Sequence, residues 1–565
     1  MNNKNLSKYF LLTPVLLILA GCSREKFASL NTNPDDVLSI PPQFEFTSAV
    51  LSIHNNSFEY YYDYNRAIYY WDQAFVTMTG NSVNVYNGSG NLNQRTGNFY
   101  SSVGNKLVDV QHLIDIMPDA KKAQYVYMRA ITGIPLAYYA WYTSDVQGSI
   151  AYSQAFQARY KGLLTPKYDT QEALYDSLDK QLKAIVAILK TQQPVSQVSM
   201  DVNDIYYKGD VTSWIKAANS LRLKMAFRLM KRNPDKLKSV ATEVLSDAVG
   251  VISTRAEDWK FIGGAGFTGG NYNPTSNSTV SGAKNTVDFM RNTMDPRIRI
   301  FFRKALTKDM FDSAQAQGVV PPGTVWDGLD YRGQYADPDA NTDPAKAVYF
   351  TNTSYKYKGV STVFAWPSSV QSKLFYGDFN SPPDPQGLTT FPIITFADIC
   401  FMRAELAVRG ITTGDDPQEW YYRGIDESLA EYDAMGNWAK LADYVPLDPA
   451  EVTQYKAQPG VVYDPANALE QIIVQQYLNY FKNQNEAWAL IKRTGYPSST
   501  GNILKLEDIH QGGVLQAMPR RFVVTFPSLT DLNYQNVLDA INEEKKDPGF
   551  GDPTDITGRV WWDKQ

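Results

Sequence analysis

YYKGDVTSWIKAANSLRLKMAFRLM, residues 206–230, reads as one long helix made for a crowded interior. Asp210 or Thr212 caps its start, because either side-chain oxygen can accept from an orphan backbone N–H of the first turn. Trp214, Ala218, Leu221, Met225 and Leu229 recur at helical spacing and form one apolar stripe. Alanines and Ser220 beside it keep the helix slim, so that another can lie close. Lys224, Arg228, Lys231 and Arg232 fall in the last turns, where positive charge opposes the negative end of the helix dipole. Pro234 disfavours helical geometry at Asn233 and ends the run.

Working outward, four blocks repeat the pattern as pairs. Residues 99–117 precede 120–142, and residues 170–189, with Leu174, Leu178, Leu182, Ile185 and Leu189 on one face, precede the quoted helix. Residues 396–409 precede 420–435, and 465–481 precede 485–491. Amphipathic pairs repeated along a chain predict an all-α, tetratricopeptide-like array in which each pair buries its face on the next. The strict 34-residue consensus is absent and long insertions interrupt the blocks. Pro41-Pro42 opens a further helix, expected to run on through the aromatic residues to Trp71.

Between Trp259 and Thr395 the pattern changes to Gly, Pro, Asn, Ser and Tyr, with short helical pieces near 283–291 and 297–304. Long irregular stretches are functional or disordered. The aromatic residues here, Trp326, Tyr335, Tyr355 and Trp366 among them, argue against disorder. We read 259–395 as a loop-rich insertion carrying a ligand surface. Trp71, Tyr86, Tyr272, Trp326, Tyr331 and Trp366 are the candidate ligand-binding residues, chosen for their loop or insertion context. Taken alone, each is more often core than contact.

The chain holds 37 Tyr, 26 Phe and 11 Trp. Such rings give contact area at low entropy cost, which suits recognition. Net charge is −5, and residues 1–21 carry two lysines and no acid, so the remainder is more acidic still. That excludes nucleic acid as a partner, which needs a basic face. Lys4 and Lys8 precede an apolar run over 10–20, followed by Leu19-Ala20-Gly21-Cys22. The pattern predicts a lipoprotein signal over 1–21, lipidation at Cys22 and a tether over 22–40, with one domain over 41–565. Several acyl chains on one residue anchor stably.

Catalytic and metal chemistry finds little support. Gly264 to Gly269 matches G-x-G-x-x-G, but loop residues follow it where a helix should. The three histidines, His54, His112 and His510, are scattered, so no metal site and no cofactor are expected. Cys400 falls inside an apolar helix and reads as a structural thiol. A glycosidase needs two converging carboxylates. Asp398 and Glu405 are the tempting pair, with helix packing as the favoured account.

Several separated runs resemble the SusD/RagB family of Bacteroidota lipoproteins. They are Gly209-Asp210 with Trp214 to Leu223, Asp145 to Ala155 (with Ala151 where Pro is usual), Pro166 to Glu172 and Asp295-Pro296-Arg297. Phe396 to Glu405, Gln475-Gln476-Tyr477, Ala487-Trp488, Arg493-Thr494-Gly495, Pro519 to Phe522, Pro527, Asn533 and Asn536 follow in order. The resemblance implies an outer-membrane lipoprotein facing the cell exterior. It would bind oligosaccharide or peptide without catalysis and pass it to a SusC-like TonB-dependent transporter. A surface glycoside hydrolase and a protein–protein scaffold are the alternatives.

Overall fold

A computed structural model describes residues 40–55, 59–77, 93–263, 280–375 and 387–565. The signal, Cys22, most of the tether, Tyr86, Tyr272 and the Gly264 to Gly269 run lie outside the described residues.

The chain opens with α1 (Pro42–His54), α2 (Gly104–Asp115), α3 (Val126–Gln147), α4 (Gln171–Lys190), α5 (Val211–Arg228) and α6 (Pro234–Leu245). Neighbours in this series pack on one another, α1 on α2, α2 on α3, α3 on α4, α4 on α5 and α5 on α6. After the insertion come α9 (Phe396–Val408), α10 (Pro417–Trp438), α11 (Ala468–Asn479), α12 (Gln484–Thr494) and α13 (Tyr534–Glu544), with α7 (Lys284–Asn292) and α8 (Lys308–Ala316) within the insertion. The fold is thus the helical array that the apolar spacing predicts.

The first helix is shorter than expected. It ends at His54, and a π-helical stretch, Glu59–Ile68, takes up the aromatic run. Asp63, Tyr64, Ala67 and Ile68 are buried along it.

Two hydrophobic cores meet at α9. Ile399, Cys400, Met402 and Leu406 join the N-terminal core, whereas Ala397, Phe401 and Ala404 join the C-terminal one. α5 lies across the same junction. Asp210 caps it, accepting from Ser213 N at 2.6 Å, and the helix is buried on nearly every side. Arg228 falls in the last turn, as the sequence suggested, but the cations of this helix also carry buried ion pairs. Arg228 is held by Asp145 at 3.2 Å and Glu486 at 2.8 Å. Lys224 lies 3.3 Å from Glu486 and 3.6 Å from Asp398. A charge taken out of water must be paired, and these pairs tie the two halves of the array together.

The insertion is closed at its base. β2 (Trp259–Gly263) pairs antiparallel with β6 (Thr389–Ile394), so its two ends leave the array side by side. Trp259 is itself core, with its ring centroid 5.6 Å from that of Trp214. Beyond β2 the chain forms β3 (Val280–Ser281) and a hairpin of β4 (Ser354–Tyr357) and β5 (Val360–Val363).

His54 packs where α1 meets β2. Its ring lies 5.1 Å from that of Phe261, and Nε2 is 2.8 Å from the Tyr206 hydroxyl. Burial pushes its pKa down to about 3 from 6.5. The folded state holds this imidazole neutral while the unfolded chain protonates it below pH 6.5. Its contribution to stability is therefore complete above pH 6.5 and falls as pH drops towards 3, by about 1.4 kcal/mol per pH unit at most. His54→Gln keeps a partner for Tyr206. Its urea midpoint should be less pH-dependent between pH 6 and 4 than that of the parent.

Candidate ligand-binding rim

β3 is the seam at which the candidate surface is assembled. Val76 pairs with Ser281 and Thr77 with Val280, through β1 (Val76–Thr77). On the other side Ser369 bridges Ser281, and Val370 N donates to the Val280 carbonyl at 2.9 Å. Gln334 N then donates to the Gly282 carbonyl at 2.9 Å, and Lys284 N to the Gln334 carbonyl at 2.7 Å. Tyr86 and Tyr272 fall in residues 78–92 and 264–279, outside the described residues.

Gly333 permits the approach. A Cβ there would sit 2.5 Å from Lys284 Cα and 2.7 Å from the Ala283 carbonyl oxygen, and neither backbone atom can step aside. The spine from Tyr331 to Ala336 thereby reaches each aromatic group in turn. Tyr331 packs, half-buried, against the C-terminal core, and burial pushes its hydroxyl up to about 12. Arg332 lies between two indoles, 4.7 Å from the Trp326 centroid and 4.1 Å from that of Trp366. Those rings meet edge to face at 6.0 Å. Arg332 Nε donates to both Asp327 oxygens at 2.9 Å. Partial burial alone would raise the Asp327 carboxyl, but the hydrogen bonds and charge of Arg332 hold it below its usual range.

Tyr335 comes next and is half-buried. Its ring meets Tyr349 edge-on at 4.9 Å and runs near parallel to Phe350 at 6.4 Å. Lys346 Nζ lies 4.8 Å and Lys284 Nζ 5.8 Å from its centroid. Ala336 closes the spine on a small cluster of Tyr70, Trp71, Val76, Ala283 and Ile509. Gln73 pins the far side, exchanging hydrogen bonds of 2.7 and 2.8 Å with the Glu507 backbone.

The six candidates are thus not equivalent. Trp366 and Trp71 are only 3% and 8% exposed and offer no open ring face as placed. Trp326 and Tyr331 keep part of a ring accessible. The spine joins Trp326, Trp366 and Tyr331 on one side and reaches Trp71 on the other. Tyr335, with Tyr349 and Phe350 beside it, was not among the candidates. Lys284 reaches it from far along the chain, and no helical or strand spacing marks the ring.

The carboxylate pair is engaged in packing. Glu405 accepts from Arg493 at 2.6 and 2.7 Å and from Arg409 at 2.8 Å. Burial would raise it, but these guanidinium groups hold it below the usual carboxylate range. Asp398 completes a capping box with Thr395 and accepts from Asn479 at 2.7 Å. The cavity beside it is about 10 Å³, too small for a sugar ring. Cys400 is buried, and that burial raises its thiol. Among the described residues no cluster of three or more His, Cys, Asp or Glu is placed to hold a metal ion. None of the described helices is long and apolar enough to cross a membrane.

Residues 34–523 match a family model described as SusD-like, starch-binding and associating with the outer membrane. Among solved structures, a chitin-binding protein is similar at TM-score 0.67 and 20% identity, over 93% of this chain and 100% of its own. A SusD homologue from Bacteroides fragilis is similar at TM-score 0.64 and 21% identity, with the same coverage. A chitin-binding SusD homologue from Flavobacterium johnsoniae reaches TM-score 0.58 at 20% identity, over 93% of this chain and 98% of its own. At that identity these likenesses speak to the fold. No curated protein matches the chain in sequence.

Proposed function

The chain belongs to the SusD-like family, and from that premise we propose that it is a lipid-anchored surface protein that binds oligosaccharide and delivers it to a SusC-like TonB-dependent transporter. The helical array is the rigid scaffold. The rim around β3 is the ligand face, with Trp326, Tyr331 and Tyr335 as its described rings. Sugar rings present apolar C–H faces that stack on such rings, while neighbouring polar groups take the hydroxyls. Lys284 and Lys346 lie over the Tyr335 ring, each beside a neighbouring carboxylate, Asp288 and Asp343. The observation that carries the reading is the Tyr331 to Ala336 spine, which ranges half-covered aromatic rings along one backbone. Half-covered rings bind weakly, because desolvation and ordering costs offset much of the contact energy.

The test is a screen of the purified chain against chitin, starch and other glycan fragments and against peptides. Saturable binding of an oligosaccharide, without shortening of it, is the expected result. Binding of peptides alone, or of no small ligand, would refute the oligosaccharide reading; the latter would favour a protein scaffold.

A further inference from the structure

The described structure begins at Ile40, where an exposed apolar group gathers. α1 runs antiparallel to α2. Asn98 Nδ2 donates to the Ser52 carbonyl at 2.9 Å, Lys106 Nζ to Ser48 Oγ at 2.8 Å, and Glu45 senses the charges of Lys106 and Asp109. That progression carries Phe44 and Ile40 towards the C-terminal end of α2, where Ile116 follows. Thr47 Oγ1 donates to the Asn203 carbonyl at 2.8 Å, which sets Val202 against the first turns of α1. Phe44, Ile116 and Val202 are 58%, 64% and 74% exposed, and Ile40 is exposed with them. Lone exposed apolar residues are ordinary, but four converging on one end of one helix are not.

We propose that Ile40, Phe44, Ile116 and Val202 form a shallow membrane-docking face that inserts into the lipid surface beside the acyl anchor. The proposal rests on lipidation at Cys22, and a tether from there to Ile40 reaches at most about 60 Å. Two features favour lipid over a protein partner. The tether enters the fold at the patch itself. The side chains come from a helix's first turn, a helix end and the turn Asp201–Asn203, and such tips suit a fluid interface. A stable protein contact needs a continuous face of about 800 Å² on each side. Docking there would fix the orientation of the molecule on the membrane.

Cys400 is buried and an acylated Cys22 has no free thiol, so an introduced cysteine can be labelled selectively. Val202→Cys carries a bimane fluorophore at the patch. Val360→Cys carries it in the β4–β5 hairpin of the insertion, whose base packs at the other end of α1, beside His54. The lipidated full-length chain is reconstituted into phosphatidylethanolamine–phosphatidylglycerol vesicles, with and without phosphatidylcholine brominated in its acyl chains. Quenching several-fold greater at position 202 than at 360 is expected. Phe44→Glu with Ile116→Glu should bring it down to the level at 360 while vesicle flotation persists. Equal quenching at both positions overturns the docking face and leaves the anchor standing. So does shielding of position 202 only when a co-purified barrel protein is added, which would assign the patch to a protein partner. An N-terminal peptide without the diacylglycerol mass overturns the anchor reading, and the docking face with it.

Discussion

Replacing Glu486 with alanine is expected to destabilise the fold by about 3–5 kcal/mol, the cost of leaving buried charges without their counter-ion. Glu486 serves two cations at once. One oxygen accepts from Arg228 at 2.8 Å and the other lies 3.3 Å from Lys224. All three side chains are at most 5% exposed. Asp145 and Asp398 remain to each cation after the change, so the loss is large but not complete unfolding. Glu486→Gln preserves shape and should cost less, which separates the charge from the cavity. Burial alone would raise the Glu486 carboxyl, but Arg228 and Lys224 hold it below 4.5. A depressed carboxylate contributes fully above its unfolded value and loses that contribution as pH falls through the folded one. The parent should therefore lose stability below about pH 4.5 more steeply than Glu486→Gln. Urea midpoints across that range decide it, and identical curves would refute the role given to the network.

The second large effect is in the insertion. Trp366→Ala should cost about 3–5 kcal/mol locally, as for a fully packed aromatic. Its ring supports Phe311 at 5.7 Å, Trp326 at 6.0 Å and the Arg332 guanidinium at 4.1 Å. Trp326→Ala, at a half-buried position, should cost clearly less. Hydrogen exchange over 306–366 is the readout, since this small core is separate from the two that hold the array. Faster exchange confined to the insertion in Trp366→Ala is the expected pattern. Equal effects of the two substitutions would mean that Trp366 is no more structural than its neighbour.

The array was legible because buried helices announce themselves through spacing. The Asp210 cap, the pairs around α5 and the structural thiol at Cys400 follow from residues within a few turns of one another. What stayed hidden depends on distance along the chain. Lys224 and Arg228 look only like dipole partners until Asp145, Glu486 and Asp398 are brought beside them. The Glu59–Ile68 stretch carries no signal that separates α from π turns. The rim is hardest of all. Tyr335 gains Lys284 only through the Gly333 approach, and Lys346, Tyr349 and Phe350 only where the chain folds back on it. The ordered run of motifs from Asp145 to Asn536 supplied what spacing could not, the family itself.

The central claim is that this chain holds a saccharide on the aromatic rim around β3 and alters no bond in it. Calorimetric titration of the parent and of a Trp326→Ala, Tyr335→Ala double variant, followed by mass analysis of the recovered ligand, tests it most directly. The account predicts saturable binding, about tenfold weaker in the variant (1.4 kcal/mol), and a ligand recovered whole. Unchanged affinity in the variant, or a shortened saccharide, would contradict it.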